Sequence, residues 1–122
     1  MHYQVERLQG KLVIVVTGCV LGAVVDVRKT SATFGQDFSI ELNSQNNLQL
    51  WVLVGMAHGF MVLSETADFM YKSTDYYKPQ FERTILWNND DLAIDWQLNN
   101  IKPELSVKDA DGVIFKNAEY YD

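Results

Sequence analysis

Residues 11–26 read KLVIVVTGCVLGAVVD, and the part from Leu12 to Val25 is uncharged and mostly apolar. A basic start followed by an apolar run is typical of a secretory signal peptide. However, no small-residue cleavage site follows Val25, and the run is too short to span a bilayer. Valine and isoleucine dominate it, and such β-branched residues favour strands. We therefore predict two buried strands that meet near Thr17 and Gly18.

An apolar period of two marks two further segments, DFSIELNS (37–44) and TADFMYKS (66–73), where Ala67, Phe69 and Tyr71 alternate with Asp68, Met70 and Lys72. This period of two predicts half-buried strands, and it places Tyr71 on the same inward face as Phe69. Turn-forming residues separate the segments, and only residues 89–98 and 106–110 suit short helical turns. Several short strands with regular turns are typical of an antiparallel sandwich or barrel, with a jelly roll as the leading choice.

The whole-chain composition predicts one ordinary globular domain over residues 1–122, with 48% hydrophobic and 21% charged residues. The net charge of -6 argues against a nucleic-acid or anionic-membrane surface, since phosphate binding needs clustered Lys and Arg. Cys19 is the only cysteine and lies in an apolar run, which predicts a buried thiol, no intrachain disulfide and a reducing compartment. The expected location is the cytoplasm.

Few residues are suited to chemistry. Two histidines and one cysteine do not supply the clustered ligands of a transition metal, and no Gly-rich phosphate loop is present, so we predict no metal and no cofactor. Acid-base chemistry remains, with His2 as the group that titrates near neutral pH. Each candidate also has a structural interpretation: His2 as a mobile terminus, Tyr71 as core packing and His58 as a hydrogen-bonded structural histidine.

Seven motifs in order carry a family resemblance. They are HYQ, QGKLV, VVDVRKTSATFG, IELNSQNNLQLWV, GMAHGFMVLSETADFMYKSTDYY, ERTILWNNDDLAIDW and PELSVKD. Together they resemble the dTDP-4-dehydrorhamnose 3,5-epimerase family, whose members are metal-free, cupin-type antiparallel jelly rolls. The resemblance runs from His2 to about Asp109, and it implies that the apolar run forms two barrel strands rather than a signal peptide. It also implies a homodimer.

The resemblance implies an epimerase that inverts C3, C5 or both in dTDP-4-dehydro-6-deoxy-glucose, in dTDP-rhamnose or related deoxysugar biosynthesis. A base removes a proton next to the C4 ketone, and an acid returns one from the opposite face of the enolate. His2 matches the family's base, and Asp109 matches the carboxylate that orients it. Tyr71 matches a buried proton donor, and Lys11 matches the cation beside the C4 oxyanion.

Four further residues match ligand contacts of the family. His58 matches a substrate contact, and Tyr77 matches the aromatic residue that stacks on thymine. Glu82 and Lys108 match polar contacts to the ligand. The resemblance thus implies a dTDP-sugar as the binding partner.

The chain also departs from the family. Ile14 stands where arginine is usual, Gly22 where aspartate is usual, Leu53-Val54 where Pro-Glu is usual, and Gln97 where proline is usual. In addition, about the first third of a family member has no counterpart here. These departures leave a second interpretation open, a truncated and catalytically weak or inactive cupin that keeps only a nucleotide-sugar-binding or structural role.

Overall fold

The computed structural model describes residues 1–121 as eight β-strands with a few helical turns. The strands are β1 (His2–Gln4), β2 (Lys11–Thr17), β3 (Cys19–Asp26), β4 (Asp37–Asn43), β5 (Gln49–Val52), β6 (Met56–Val62), β7 (Asp68–Ser73) and β8 (Glu82–Thr84). One short helix, α1 (Val107–Ala110), and two 3-10 turns, Pro79–Phe81 and Phe115–Asn117, complete the secondary structure of this part. The prediction of an all-β fold with short helical turns near the C-terminus is confirmed.

The strands form two antiparallel sheets. The larger sheet has the order β4-β3-β6-β1-β8, and the smaller has the order β5-β2-β7. Apolar side chains from the two sheets meet in one core cluster: Val13, Val15, Val20, Leu42, Leu50 and Val52. Burying such side chains drives the two faces together, which gives the two-layer arrangement of a jelly roll.

Gly18 connects the two sheets, because β2 belongs to the smaller sheet and β3 to the larger. The two predicted strands do meet at this position. Gly18 has a φ of +80°, which glycine adopts readily, and a Cβ here would lie 2.3 Å from the carbonyl oxygen of Thr66. The turn therefore requires glycine at position 18, because any side chain there would be strained and would clash.

A second core cluster covers the other face of the larger sheet. The segment that follows β8 packs there, with Leu92, Ile94 and Trp96 all buried. The Trp96 indole donates a hydrogen bond of 2.7 Å to the carbonyl oxygen of Trp87. The expectation of a helical turn or two over residues 89–98 is met only by a single hydrogen-bonded turn from Asn89 to Ala93. Packing of large apolar side chains on the sheet shapes the rest of this segment.

Three burial predictions are wrong. Phe38 is 54% exposed and Tyr71 is 58% exposed, although each lies in the alternating pattern of its strand. Both residues belong to edge strands, β4 and β7, so no described strand covers them on one side. Cys19 is partly exposed rather than buried, because it begins β3 next to the Gly18 turn.

The longest helix of the described residues has four residues. Within residues 1–121, no helix has the length and apolar composition needed to cross a membrane.

Gly18→Ala should lower the free energy of unfolding by about 1–3 kcal/mol from backbone strain alone, with a further loss from the contact to Thr66. Urea unfolding followed by circular dichroism measures this loss. Gly22→Ala is the matched control, since the nearest neighbour of its added Cβ would be the flexible end of Leu50 at 3.3 Å, and its other neighbours lie at an ordinary contact distance of 3.8 Å. Equal destabilisation by the two variants would contradict this account of the turn.

Candidate active site

The short strand β1 lies inside the larger sheet, between β6 and β8. Its first residue, His2, pairs with His58 on one side and with Thr84 on the other. Residues that pair directly across antiparallel strands project to the same face, so the three side chains are neighbours. This register places two histidines and a hydroxyl group together on one face of the sheet.

His2 contacts a carboxylate that is 107 residues further along the chain. The Nε2 atom of His2 lies 2.7 Å from Oδ1 of Asp109. The Nδ1 atom lies 3.0 Å from the hydroxyl oxygen of Thr84 and 3.7 Å from Oε1 of Glu82. The imidazole is therefore held at both nitrogens.

The helix cap at Ser106 fixes the position of Asp109. The Ser106 hydroxyl accepts a hydrogen bond from the Asp109 backbone amide at 3.2 Å and donates one to Oδ2 of Asp109 at 2.8 Å. A serine followed three residues later by an acidic residue is a recurrent signature of a helix start. The cap leaves Oδ1 of Asp109 free to face His2.

Burial lowers the pKa of His2 below its ordinary value, and the positive charge of the Met1 amino group adds to this effect. The hydrogen bond to Asp109 and the charges of Asp109 and Glu82 oppose the shift without reversing it. The pKa of Asp109 is itself lowered, because hydrogen bonds from Ser106 and His2 outweigh the effect of burial. At neutral pH the pair is a neutral imidazole beside an ionised carboxylate.

A cavity of about 600 Å³ opens beside this pair. It is lined by Gln9, Lys11, Tyr71, Ser73, Thr74, Asp75, Tyr76, Tyr77 and Glu82. Lys11 and Tyr71 lie together in its wall, with Nζ of Lys11 5.9 Å from the centre of the Tyr71 ring. Burial lowers the pKa of Lys11, while the nearby Glu82 favours its charged form.

Glu82 links the cavity to the histidine. Its Oε2 atom accepts hydrogen bonds from Lys108 at 2.6 Å and from the hydroxyl of Tyr77 at 2.9 Å. Nζ of Lys108 also donates to the Tyr77 hydroxyl oxygen at 3.0 Å and lies over the Tyr77 ring. Burial works against the charge of Glu82, but the bonds from Lys108 and Tyr77 outweigh it and lower its pKa. The charged cluster is thus already ordered around the cavity.

His58 is buried next to this region, with 7% of its surface exposed. Its Nε2 atom is buried without a hydrogen-bond partner among the described residues. Its ring stacks with Phe69, at 6.2 Å between centres, and Phe69 in turn contacts Tyr71. Burial, followed by the charge of Lys11, lowers the pKa of His58 to about 3. An unpaired polar atom in this position suits a polar ligand.

The structure brings all eight predicted site residues into one region. Four of them line the cavity: Lys11, Tyr71, Tyr77 and Glu82. The other four contact these residues or each other: His2, His58, Asp109 and Lys108. The expectation that Tyr71 is buried is wrong, yet its ring faces the cavity as the alternation predicts.

Two residues of the site were missed in the sequence. Ser106 could have been found from the S-x-x-D spacing ahead of α1. Thr84 carries no local signal, since its contact with His2 depends on the pairing of β1 with β8. Within residues 1–121, no three His, Cys, Asp or Glu side chains are grouped so that they could hold a metal ion.

Comparison with known proteins gives consistent matches. A family model described as dTDP-4-dehydrorhamnose 3,5-epimerase matches residues 1–117. The epimerase of that name from Pseudomonas aeruginosa is 46% identical over 121 residues, and the one from Salmonella typhimurium is 49% identical over 111 residues. The matches cover 99% and 90% of this chain, but only 66% and 60% of those relatives.

Solved structures show the same likeness. The dTDP-6-deoxy-D-glucose-3,5-epimerase of Legionella pneumophila, in complex with dTDP-4-keto-L-rhamnose, superposes with a TM-score of 0.93 at 46% identity. That match covers 97% of this chain and 62% of the Legionella chain. A 3'-monoepimerase from Streptomyces bikiniensis, in complex with dTDP-quinovose, has a TM-score of 0.86 at 30% identity and covers 93% of this chain and 57% of its own. The jelly-roll prediction is confirmed by this likeness.

The low pKa of His58 predicts acid-sensitive stability. The unfolded chain binds a proton at this histidine near pH 6.5, whereas the folded chain does so only near pH 3. The free energy of unfolding should therefore fall by about 1.4 kcal/mol for each pH unit between these values, and the full contribution of His58 should be present above pH 6.5.

Urea unfolding of the wild type and of His58→Gln from pH 7 to pH 4.5 measures this contribution. The slope should be smaller in His58→Gln. His2→Gln is the matched control, and it should change the slope less because Asp109 favours the charged form of His2. Parallel curves for the wild type and His58→Gln would refute the assignment.

Proposed function

The chain belongs to the dTDP-4-dehydrorhamnose 3,5-epimerase family, and on this basis we propose that it inverts C3, C5 or both in a dTDP-4-dehydro-6-deoxy sugar. The observation that carries the proposal is the 2.7 Å contact between His2 and Asp109 beside a cavity whose wall holds Lys11 and Tyr71. These are the groups that proton removal and return at a carbon acid require.

The C4 ketone of such a sugar makes the hydrogens at C3 and C5 acidic, so a base can remove one and leave an enolate. His2 acts as this base in the proposal, since its lowered pKa keeps it neutral at pH 7. Asp109 orients the imidazole through Nε2 and stabilises its positive charge after proton transfer. Nδ1 is then the nitrogen that receives the proton.

Lys11 and Tyr71 complete the proposed reaction. The ammonium group of Lys11 stabilises the negative charge that develops on the C4 oxygen, an effect that is strong when the charge is already in position. Tyr71 returns a proton to the other face of the enolate. Its ring lies next to Lys11 in the cavity wall, which supports the two acting on one ligand.

The remaining site residues are proposed to hold the ligand. The volume of the cavity, about 600 Å³, is within the range of small-molecule sites. Tyr77 presents an aromatic ring for thymine, and base stacking of this kind is worth about 1–3 kcal/mol in nucleic-acid complexes. Lys108 and Glu82 supply a charged donor and acceptor next to that ring, and the unpaired Nε2 of His58 supplies a further polar contact.

Two departures from the family lie away from the cavity. Ile14 alternates with the buried Val13 and Val15, so it faces the opposite side of the sheet from Lys11. Gly22 faces the end of the Leu50 side chain, and among residues 1–121 neither Ile14 nor Gly22 lines the cavity. Their positions favour the epimerase over a cupin that keeps only a binding or structural role.

We also propose that the chain acts as one domain within a homodimer. Val16, Trp51 and Met70 are each about half exposed, and they lie on the smaller sheet. Large apolar side chains on the surface are typical of a protein interface, which supports a second copy of the chain as the partner.

The proposal is tested by incubating the chain with dTDP-4-dehydro-6-deoxy-glucose in heavy water and following deuterium at C3 and C5 by NMR. Asp109→Asn should slow this exchange by about 100-fold, because the amide does not stabilise the imidazolium. The loss of the Asp109 charge should also lower the pKa of His2 further.

Asp111→Asn is the matched control, since Asp111 is exposed at the end of the same short helix and should leave the exchange unchanged. Exchange by Asp109→Asn at the wild-type rate would contradict the role given to Asp109. Absence of exchange in the wild type would favour the binding or structural alternative.

Tyr71→Phe should separate the two halves of the reaction. Without the Tyr71 hydroxyl, His2 still removes a proton, but protonation of the other face of the enolate is hindered. Epimerised product should therefore fall by about 100-fold while exchange falls much less. Tyr76→Phe, in the same cavity wall, is the control that should keep both signals. Equal loss of product and exchange in Tyr71→Phe would rule against Tyr71 as the acid.

A further inference from the structure

Thr84 lies directly opposite His2 in the pairing of β1 with β8. The Thr84 hydroxyl oxygen is 3.0 Å from Nδ1 of His2, within hydrogen-bond distance. The contact joins residues that are 82 positions apart, and both ends are held by strand pairing rather than by a mobile loop. The hydroxyl is therefore a fixed neighbour of the ring.

The contact of Nε2, the other ring nitrogen of His2, indicates which nitrogen carries the hydrogen of the neutral ring. Nε2 of His2 faces Oδ1 of Asp109 at 2.7 Å, and an ionised carboxylate only accepts hydrogen bonds. Nε2 must then carry a hydrogen in the neutral ring, which leaves Nδ1 as the acceptor. The Thr84 hydroxyl is a group that donates to it.

We propose that Thr84 is a positioning residue for His2: its hydroxyl donates to Nδ1 of the neutral ring in the ligand-free protein, accepts from Nδ1 when that ring is protonated by solvent, and releases the single lone pair of Nδ1 to the C–H proton when the sugar is bound. The proposal rests on the proposed role of His2 as the base. It extends that role by naming the group that fixes the tautomer and the orientation of the ring before the sugar binds.

A hydroxyl suits this position because it both donates and accepts, whereas a methyl group does neither. Four charged or titratable groups surround His2: Asp109 from α1, Glu82 from β8, His58 from β6 and the amino group of Met1. Of these, Asp109 holds Nε2 and Glu82 lies 3.7 Å from Nδ1. Thr84 is thus the neutral contact of Nδ1 among several charges.

A hydrogen bond to the charged ring is stronger than one to the neutral ring. Removing the Thr84 hydroxyl should therefore lower the pKa of His2, by about half a pH unit. Thr84→Val removes the hydroxyl with little change of shape, and valine is favoured in strands. Thr84→Ser keeps the hydroxyl and should keep the wild-type pKa.

The test is NMR of the full chain labelled with ¹⁵N-histidine, titrated with pH. The wild type should show a hydrogen on Nε2 and a hydrogen-bonded, unprotonated Nδ1 in the neutral ring. Thr84→Val should move the Nδ1 resonance and lower the pKa of His2, and Thr84→Ser should restore both. Thr17→Val is the control, because Thr17 lies at the other end of β2 from Lys11 and should change neither reading.

Unchanged Nδ1 resonance and pKa in Thr84→Val would overturn the proposal. A hydrogen on Nδ1 in the neutral His2 ring of the wild type would also overturn it. This measurement uses the wild type, so it does not depend on whether a variant folds. In Thr84→Val the rate of deuterium exchange should also begin to fall at a lower pH than in the wild type, because the pKa of His2 is lower. The NMR readings need no substrate, so a wild type without exchange would overturn the proposed function, while the ring readings alone decide the role of Thr84.

Discussion

The three residues of β1 hold the two halves of the site together. This strand pairs with β6 on one edge and with β8 on the other, so it attaches the C-terminal part of the chain to the larger sheet. Through this pairing the backbone carbonyl of Met1 accepts a hydrogen bond from the amide of Ile85, at 2.8 Å. The same pairing brings Asp109 to His2. β1 carries the base His2, and its pairing with β8 connects the base to the part of the chain that carries the carboxylate.

Burial and hydrogen bonding act in opposite directions on the charges of the site, and the balance differs from group to group. Burial dominates at His2 and His58 and keeps both imidazoles neutral near pH 7. At Asp109 and Glu82 burial is the largest single effect, but hydrogen bonds and nearby positive charges together outweigh it, lower the pKa and keep both carboxylates charged. A neutral base beside a fixed negative charge is prepared to accept a proton, because the charge it acquires already has a partner. The imidazoles are neutral and the carboxylates are charged because each side chain has different burial and different hydrogen-bond partners.

The sequence predicts the β-structure well because β-branched runs and period-two alternation are local signals. The break between β2 and β3 at Gly18 could be read from the chain alone, and family motifs pointed to all eight residues that cluster at the site. The exposure of Tyr71 could not be read, since it depends on β7 being an edge strand, which is a property of the sheet order. Thr84 was missed for a related reason, since its partner is set by the register of two strands that are distant in sequence.

The separation of β1 from β8 has a consequence for how the protein forms during synthesis. The partners Tyr3 and Arg83 are 80 residues apart, and a ribosome adding about 5–20 residues per second needs roughly 4–16 s to make that stretch. Contacts of such high sequence separation also close slowly, because the loop entropy must be overcome first. During this interval β2 to β7 can pair while β1 has no β8 to complete its ladder. The contact of His2 with Asp109 forms later still, because Asp109 follows β8 in the chain, so the base and its carboxylate meet only after the strands β2 to β7 have been made.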